Sequence, residues 1–355
     1  MELALYHPEL GFYSGGRGAG READFLTSPS VGPLFGAVLA RALDDWWDEL
    51  GRADPFTFVE VGAGDGSLAR DILAAQPRCS AALRYLLVEQ SPVLRAGQEA
   101  RLRLEPARFA LGPIEESEDG EGRHTVPGSG PIAASLADLP AEPAVGVVFA
   151  NELLDNLPVR LLERGVDGWL EVRVGEDLSD VLVPAPDDVA AAADRLAPKA
   201  AVAARIPIQG RGAAWVRAAI AVLERGRLVI VDYADTTASM AERDWRTWLR
   251  TYRGHGAGGH PLERPGEQDI TCEVAADQLP APLSDRSQAE FLAAHGIDEL
   301  VDGAREAWRA GAGAGGLDAM KARSRVTEAQ ALTDGGGLGA FRVLEWEVGG
   351  RKRRG

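Results

Sequence analysis

The stretch FVEVGAGDGSLARDIL (58–73) limits the folds open to this chain more than any other feature. A short, nearly continuous apolar run at residues 56–61 is typical of a buried parallel strand, and the residues after the turn have the apolar spacing of a helix. Gly62, Gly64 and Gly66 join the two. Because glycine lets the backbone take positive φ and approach a ligand closely, the stretch predicts a strand–turn–helix unit that binds a nucleotide-like cofactor.

The same alternation of strand and helix continues along much of the chain. Further buried strands are predicted at residues 85–90, 145–151, 228–233 and 341–348. Helices are predicted at residues 34–50, 91–104 and 211–225. This order predicts an α/β fold with a mostly parallel, Rossmann-like sheet that is covered by helices on both faces. In such a sheet ligands bind at the carboxyl ends of the strands, which is where the three glycines lie.

Two segments interrupt the alternation. Residues 159–174 have the pattern of a β-hairpin, and residues 234–338 form a long excursion rich in glycine. Within the excursion, the apolar spacing over residues 245–252 predicts a helix. The expected organisation is an N-terminal cap, a core in two parts, two insertions and a last core strand. Their ranges are 1–55 for the cap, 56–158 and 205–235 for the core, 159–204 and 236–338 for the insertions, and 339–350 for the last strand.

Composition excludes several classes of protein. The net charge is −16, so nucleic-acid phosphates would be repelled, and no apolar run reaches membrane-spanning length. The chain has only two cysteines and its first residues lack the pattern of a secretion signal, so a cytoplasmic protein is expected. No metal is expected either, because His255 and His260 lie in a glycine-rich loop with no cysteine nearby.

The glycine spacing and the nearby charges indicate which cofactor the loop binds. The spacing is GxGxG, whereas the dinucleotide fingerprint is GxGxxG. Glu60 and Asp65 would repel a pyrophosphate but would favour S-adenosylmethionine (SAM), which has no phosphate and is cationic. Glu89, at the end of the second strand, can accept the ribose hydroxyl protons. SAM is therefore favoured over NAD, and a tight turn without a ligand is the structural alternative.

A second polar cluster follows the strand at residues 145–151. Asn151, Glu152 and Asp155 come at its carboxyl end, beside the predicted methyl donor, and are expected to orient the methyl acceptor. The structural alternative is that Asn151 caps a helix with an acidic first turn.

Six motifs in series resemble the MidA family of SAM-dependent methyltransferases, whose mitochondrial members serve respiratory complex I assembly. The motifs are YHPELGFYS, ADFLTSPSVGPLFG, FVEVGAGDGSLARDIL, NELLDNLPV, PLERPGEQDIT and SQAEFLAAHGI. The resemblance extends from about residue 4 to residue 348. It implies a class I methyltransferase fold with an N-terminal cap and insertions, and the methylation of an arginine side chain of a protein.

The resemblance also implies roles for individual residues. Gly62, Gly64, Gly66 and Glu89 would hold SAM, with Asn151 beside them. The pocket would be lined from the N-terminal side by Asp24, Phe25, Thr27, Ser28 and Pro29. The chain departs from the family where Ala23 replaces a glycine, and at Cys272–Ala275, to which no catalytic role is assigned.

Methyl transfer to arginine requires a delocalised guanidinium to be aligned with the donor. A carboxylate can grip the guanidinium bidentately, and Glu152 is the first candidate for this role, with Asp155 second and Asn151 beside them. The expected partners are a protein substrate, with a complex I subunit suggested by the family, and the sequence leaves a homodimer open. Three alternatives remain: a small-molecule acceptor, a non-catalytic SAM-binding assembly factor, and an NAD(P)-dependent oxidoreductase, which the loop disfavours.

Overall fold

The computed structural model describes residues 1–15, 27–112, 128–254, 256–311 and 317–349, and its centre is a seven-stranded sheet. The strands follow one another in the chain as β1 (Phe56–Val61), β2 (Leu83–Val88), β3 (Ile132–Leu136), β4 (Ala144–Asn151), β5 (Arg160–Arg164), β6 (Trp169–Val174), β7 (Asp180–Pro184), β8 (Arg205–Ile208), β9 (Leu223–Asp232), β10 (Ala234–Asp235), β11 (Leu249–Arg253), β12 (Gly256–Ala257), β13 (Asp269–Cys272), β14 (Val274–Ala275), β15 (Ser284–Ser287) and β16 (Arg342–Val348).

The order in the central sheet is β15–β16–β9–β4–β1–β2–β3. The strands from β9 to β3 in this order are parallel to one another. Strand β16 is antiparallel to both of its neighbours, β9 and β15. The prediction of a mostly parallel sheet is therefore confirmed, and the sheet reverses direction only near one edge.

Helices cover both faces of this sheet, and several others pack against the smaller sheets or the excursion. They are α1 (Glu2–Tyr6), α2 (Ser28–Val31), α3 (Pro33–Glu49), α4 (Ser67–Ala74), α5 (Pro92–Gly97), α6 (Ala107–Leu111), α7 (Asp187–Leu196), α8 (Gly210–Ala221), α9 (Thr237–Ala241), α10 (Gln288–Ala294), α11 (Ile297–Gly311) and α12 (Leu317–Thr333). Alternate residues of β1 point to opposite faces. Phe56 and Phe58 join a core with α3, α4 and α10, whereas Val59 and Val61 join a second core with α8. Both faces of β1 are therefore buried, which explains its nearly continuous apolar sequence.

Smaller sheets are attached beside the central one. Strands β5 and β6 form the predicted hairpin, and they belong to a four-stranded antiparallel sheet of order β7–β6–β5–β8. Residues 205–208 were expected to belong to the core, but they form β8, which pairs with β5 instead. Strand β11 lies between β12 and β13 in a three-stranded sheet, and β10 pairs with β14.

The excursion differs from its sequence-based prediction. The helix expected over residues 245–252 is wrong, because a single 3-10 turn at Trp245–Thr247 is followed by the strand β11. Strand β13 supplies the hydrogen-bonding partner that makes an extended conformation favourable there, and the apolar spacing could not reveal it. The sequence also missed β3 and β15, two edge strands of the central sheet.

The first residues of the chain pack across the carboxyl edge of the sheet. Leu5 and Phe12 are buried in a small core with Met240, Trp248 and Ile270 from the excursion. This packing fixes the N-terminal segment over the strand ends. In the ranges that the structure describes, no helix has both the length and the apolar character needed to cross a membrane.

Candidate active site

The carboxyl ends of adjacent parallel strands stand side by side in the sheet. Val61, the last residue of β1, pairs with Val88 on β2 and with Ala150 on β4. The residues that come directly after these positions are therefore neighbours in space. They are the glycine loop after β1, Glu89 after β2 and Glu152 after β4. Residues far apart in the sequence thus converge at one edge.

The glycine loop has the backbone conformation that its sequence predicts. The φ angles of Gly62, Gly64 and Gly66 are 74°, 53° and 80°, all in the left-handed region that favours glycine. A Cβ added to Gly64 would meet no heavy atom within 4 Å, so this residue borders open space. Gly66 instead packs near the side chains of Leu87 and Leu102, and it serves the turn into α4.

Glu89 holds the loop against the next strand. Its carboxylate accepts hydrogen bonds from the backbone N–H of Gly64 at 2.9 Å and from that of Ser91 at 2.8 Å. The Gln98 side chain donates to the Gly64 carbonyl at 2.8 Å. These contacts fix the carboxylate beside the loop, at the position where a ribose-binding acid is expected.

A cavity of about 1220 Å³ lies above these strand ends. It is bounded by the glycine loop, the turn after β2, the start of the segment after β4, part of α8 and the N-terminal segment. Of the predicted site residues, those that line it are Thr27, Pro29, Glu60, Gly62, Gly64, Asp65, Glu89, Asn151 and Glu152. The volume is large enough for a nucleoside-sized cofactor together with a second small group.

The two acidic residues near the loop are less free than the sequence suggested. Asp65 is paired with Arg101 at 2.5 Å, so its charge is neutralised in place. Glu60 is buried and accepts a hydrogen bond from the Tyr85 hydroxyl at 2.6 Å. Burial raises the pKa of Glu60 to about 8. Neither residue presents an unpaired charge to the cavity, so the prediction that two free carboxylates favour a cationic cofactor is wrong.

The predicted N-terminal residues divide into three groups. Asp24 and Phe25 lie outside the described residues. Thr27 and Pro29 line the cavity, as expected. Ser28 does not line it, because its side chain is buried and donates a hydrogen bond to Gln288 at 2.8 Å. Ser28 instead anchors the start of α2 to the start of α10.

Asn151 and Glu152 form one wall of the cavity. Glu152 has a φ of 50°, a strained conformation for a residue with a side chain and one that is common at functional sites. Its Oε1 accepts hydrogen bonds from the Asn151 side chain at 2.9 Å and from the backbone N–H of Ser28 at 3.4 Å. Burial, and then the charge of Asp155, raise the pKa of Glu152 to about 8. Glu152 therefore binds a proton more tightly than an ordinary glutamate.

Asp155 is not on the cavity wall, contrary to the prediction that it faces the acceptor. It is 1% exposed and lies behind Glu152, in the turn at Leu154–Asn156. Neither of its carboxylate oxygens has a hydrogen-bond partner. Burial, and then the charges of Asp232 and Asp269, raise its pKa well above the usual value. The sequence could not show this, because β9 and β13 bring the other two carboxylates from far along the chain.

The sequence analysis also missed two tyrosines on the cavity wall. Tyr6 and Tyr13 both line the cavity, and their rings are stacked with centroids 5.6 Å apart. The Tyr6 hydroxyl donates to the carbonyl of Asn156 at 3.1 Å, and the Tyr13 hydroxyl donates to Asp269 at 2.9 Å. The YHPELGFYS motif contained both residues, but nothing local in it indicated their contacts.

The side chains on this wall suit a cationic ligand. Oδ1 of Asn151 and Oε2 of Glu152 are buried acceptors without a donor. Buried acceptors of this kind are normally satisfied, so a ligand that donates hydrogen bonds fits them. The loop at Gly62 and Gly64, together with Glu89, would hold the nucleoside part of SAM. Of the residues that the structure describes, no group of three or more His, Cys, Asp or Glu could hold a metal ion.

The sheet, the glycine loop and the cavity at the strand ends define a Rossmann-like methyltransferase fold. The chain belongs to the family described as "Putative S-adenosyl-L-methionine-dependent methyltransferase", whose model matches residues 38–293. A solved COG1565 superfamily member from Burkholderia thailandensis, bound to S-adenosyl-homocysteine (SAH), is 27% identical with a TM-score of 0.73. This similarity covers 98% of the present chain and 86% of the Burkholderia chain. The prediction of SAM as the cofactor is confirmed.

Curated relatives share the same enzyme class. The Drosophila melanogaster "Protein arginine methyltransferase NDUFAF7 homolog, mitochondrial" is 34% identical over 189 residues, which cover 51% of this chain and 41% of the relative. The Danio rerio NDUFAF7 is 28% identical over 330 residues, which cover 85% of this chain and 73% of that protein. The chain thus matches less than half of the Drosophila protein's length.

The expectation of a cytoplasmic location is contradicted by the names of the relatives. The Drosophila, Danio and Homo sapiens relatives are all named as mitochondrial proteins. The expectation came from the low cysteine content and from the first residues of the chain, and neither feature distinguishes the cytoplasm from a mitochondrial compartment.

Proposed function

We propose that this methyltransferase transfers the methyl group to an arginine side chain of a protein substrate. The relatives from Drosophila and Danio are named as protein arginine methyltransferases, and the Danio similarity covers 85% of this chain. We further propose that Glu152 is the residue that binds the guanidinium, and that Asn151 assists it.

The observation that carries this proposal is the pair of unsatisfied acceptors on the cavity wall. Oδ1 of Asn151 and Oε2 of Glu152 are buried and have no donor. A guanidinium has five N–H donors and no acceptor, so it can donate to both oxygens at once and brings no acceptor that would need a donor from the wall. If the methyl acceptor were a carboxylate, it would add a negative charge to this wall. If it were a hydroxyl group, it could donate only one hydrogen bond to the two oxygens.

The buried carboxylates behind Glu152 also favour an arginine side chain as the methyl acceptor. Asp155, Asp232 and Asp269 are buried beyond Glu152, and Asp155 has no hydrogen bond to stabilise a charge. A cation at the wall would interact favourably with each of these groups when it is ionised, and the low dielectric of the interior strengthens the attraction. Burial raises the pKa of Asp155 and of Asp232, so this attraction for an arginine side chain grows as the pH rises and these carboxylates ionise.

The residues of the chain can then be given chemical roles. SAM supplies an electrophilic methyl group when it is bound. Glu152 would accept hydrogen bonds from one edge of the guanidinium, which draws positive charge towards that edge and leaves another nitrogen free. Asn151 and the backbone N–H of Ser28 would fix the Glu152 carboxylate. The proton that the methylated guanidinium loses would pass to the ionised form of Glu152, whose pKa of about 8 makes this form predominant above pH 8.

The identity of the protein substrate is a narrower proposal. The resemblance to complex I assembly factors suggests a subunit of respiratory complex I. A protein substrate would also explain why the site is open at the surface through residues such as Val93, which lines the cavity and is 56% exposed. A homodimer stays a prediction.

Labelled SAM and a lysate from cells that lack the protein would test the proposal. The purified protein should transfer label to a protein band, and acid hydrolysis of that band should release labelled methylarginine. Label in a small-molecule fraction, or in an amino acid other than arginine, would contradict it. SAH binding should be measured on the same sample, so that an inactive preparation is distinguished from a wrong acceptor.

A further inference from the structure

The tyrosines of this chain are concentrated around the proposed acceptor site. The sequence contains five tyrosines, and four of them lie beside the buried carboxylates or the turn after Glu152. Tyr6 donates to the Asn156 carbonyl and Tyr13 to Asp269, the backbone N–H of Tyr233 donates to Asp232, and Tyr252 pairs with Asp269 in the ladder between β11 and β13. They come from the N-terminal segment, from the end of β9 and from β11, so their gathering is a product of the tertiary structure.

Two of these tyrosines are on the cavity wall. Tyr6 and Tyr13 both line the cavity that holds the glycine loop and Glu152. Their rings are stacked at 5.6 Å with an interplanar angle of 23°, and Phe12 packs edge-on against Tyr13. We name Tyr6 and Tyr13 the aromatic wall.

The aromatic wall lies between the two halves of the site. The Tyr6 hydroxyl donates to the Asn156 carbonyl, which ties the wall to the segment that follows Glu152 on the acceptor side. The Ser91 hydroxyl donates to the Tyr13 carbonyl at 3.1 Å, which ties the wall to the turn after β2. The wall therefore borders the place where methyl donor and methyl acceptor must meet.

The hydroxyl groups of the wall are already committed. Tyr6 donates to the Asn156 carbonyl, and Tyr13 donates to the Asp269 carboxylate. Burial raises the pKa of Tyr13 well above its usual value, so its hydroxyl stays protonated and keeps donating. What the wall offers a ligand is therefore ring surface rather than a polar group. Ring surface beside carboxylates suits a flat organic cation.

We propose that the aromatic wall is the part of the acceptor subsite that takes the plane of the guanidinium, while Glu152 takes its N–H edge. This inference rests on the proposed function, because it assumes that an arginine side chain enters the cavity. The aromatic wall would add a preference for guanidinium over ammonium that the carboxylates alone cannot supply. A guanidinium can stack on an aromatic ring through its planar π-system, whereas an ammonium of equal charge cannot stack in this way. The wall thus selects arginine over lysine.

Binding of small cations to the protein saturated with SAH would test the inference without any turnover. Ethylguanidinium and propylammonium chloride, titrated by isothermal calorimetry, represent the two side chains. The wild-type protein should bind ethylguanidinium about tenfold more tightly than propylammonium. The Tyr6→Leu variant should lose most of this difference, whereas Tyr6→Phe should keep it within about twofold because the ring remains.

A matched control comes from another part of the molecule. Phe109 lines a separate cavity and lies under the Arg108 guanidinium at 4.9 Å. The Phe109→Leu variant removes an aromatic ring in the same way as Tyr6→Leu but should leave both probe affinities unchanged. SAH affinity, measured for every variant, reports whether the cofactor half of the site is intact.

The outcomes separate the two proposals. If wild type binds SAH but neither probe, the arginine proposal fails. If wild type binds ethylguanidinium no more tightly than propylammonium, or Tyr6→Leu keeps the full preference, the aromatic wall is not the guanidinium subsite. A loss of SAH affinity in Tyr6→Leu with unchanged probe affinity would place the wall on the cofactor instead. If Tyr6→Leu does not fold, Tyr13→Leu and the two-probe comparison on wild type still decide the matter.

Discussion

Replacing Glu152 by glutamine should separate the charge of this side chain from its shape. Glutamine keeps the size of glutamate and one carbonyl acceptor, so the hydrogen bonds from Asn151 and Ser28 can survive. What Glu152→Gln removes is the negative charge that the proposed mechanism needs to hold a guanidinium and to take its proton. SAH binding should therefore be retained and methyl transfer should fall.

The size of the effect should depend on pH. With a pKa of about 8, Glu152 is ionised in about a tenth of the molecules at pH 7 and about a hundredth at pH 6. The wild-type kcat/KM should therefore rise about tenfold per pH unit and level off above about pH 8. Removing a charge that stabilises the transition state typically costs about 100-fold or more. Glu152→Gln should accordingly be about 100-fold slower at pH 9 and close to wild type at pH 6.

Initial rates of transfer from labelled SAM into the lysate protein, measured from pH 6 to pH 9, would provide the profile. Glu142→Gln is the matched control, because Glu142 is exposed in the loop before β4 and should not change either limb. The reasoning fails if Glu152→Gln keeps the wild-type plateau, or if it keeps the rising limb. Loss of SAH affinity would instead make Glu152 a cofactor or structural residue.

Three further predictions concern stability and cofactor binding. Gly64→Val should weaken SAH binding at least about 100-fold. The control Gly51→Val, at a similarly positive φ and also next to open space, should cost about 1–3 kcal/mol of stability without affecting SAH binding. Equal SAH affinities of the two variants would count against the loop as the cofactor site. The pKa of Glu60, about 8, exceeds its unfolded value, so the stability from its protonated form is complete below about pH 4.5 and is lost as the pH rises through 8. The Tm of ligand-free Glu60→Gln should therefore fall less between pH 6 and 9 than that of wild type, and parallel curves would refute this. Asp155→Asn should raise Tm above pH 8, because it removes a buried carboxylate whose oxygens lack hydrogen-bond donors, and it should change Tm little at pH 6. A lower Tm at both pH values would contradict this prediction.

Parts of the fold that depend on nearby residues were predictable. The strand β1, its glycine turn and the helix α4 lie within one short stretch, and the structure places them where the apolar pattern and the glycines indicate. The helix α3, with its apolar stripe, is predictable for the same reason. In these segments the local preference and the tertiary packing agree, so the pattern suffices.

Parts of the fold that depend on a distant partner were not predictable in this way. Residues 249–253 have an apolar spacing that fits a helix, yet they form β11 because β13 supplies the ladder of hydrogen bonds. Asp155 was expected on the cavity wall because it lies close to Glu152 in sequence. The turn at Leu154–Asn156 instead buries it, held by the Asp232 carboxylate at the end of β9.

The sequence by itself determined where the proposed cofactor half of this site lies, because its glycines and Glu89 directly follow the strands β1 and β2. Asn151 and Glu152 were also predicted from the sequence, but only the tertiary structure decided which residues surround them. Tyr13 meets Asp269 across 256 residues, and Ser28 meets Gln288 across 260. Contacts between residues so far apart in the sequence depend on how the sheet and the excursion pack. The energy of a buried carboxylate or ring depends on its surroundings, and those surroundings are assembled only when the chain has folded.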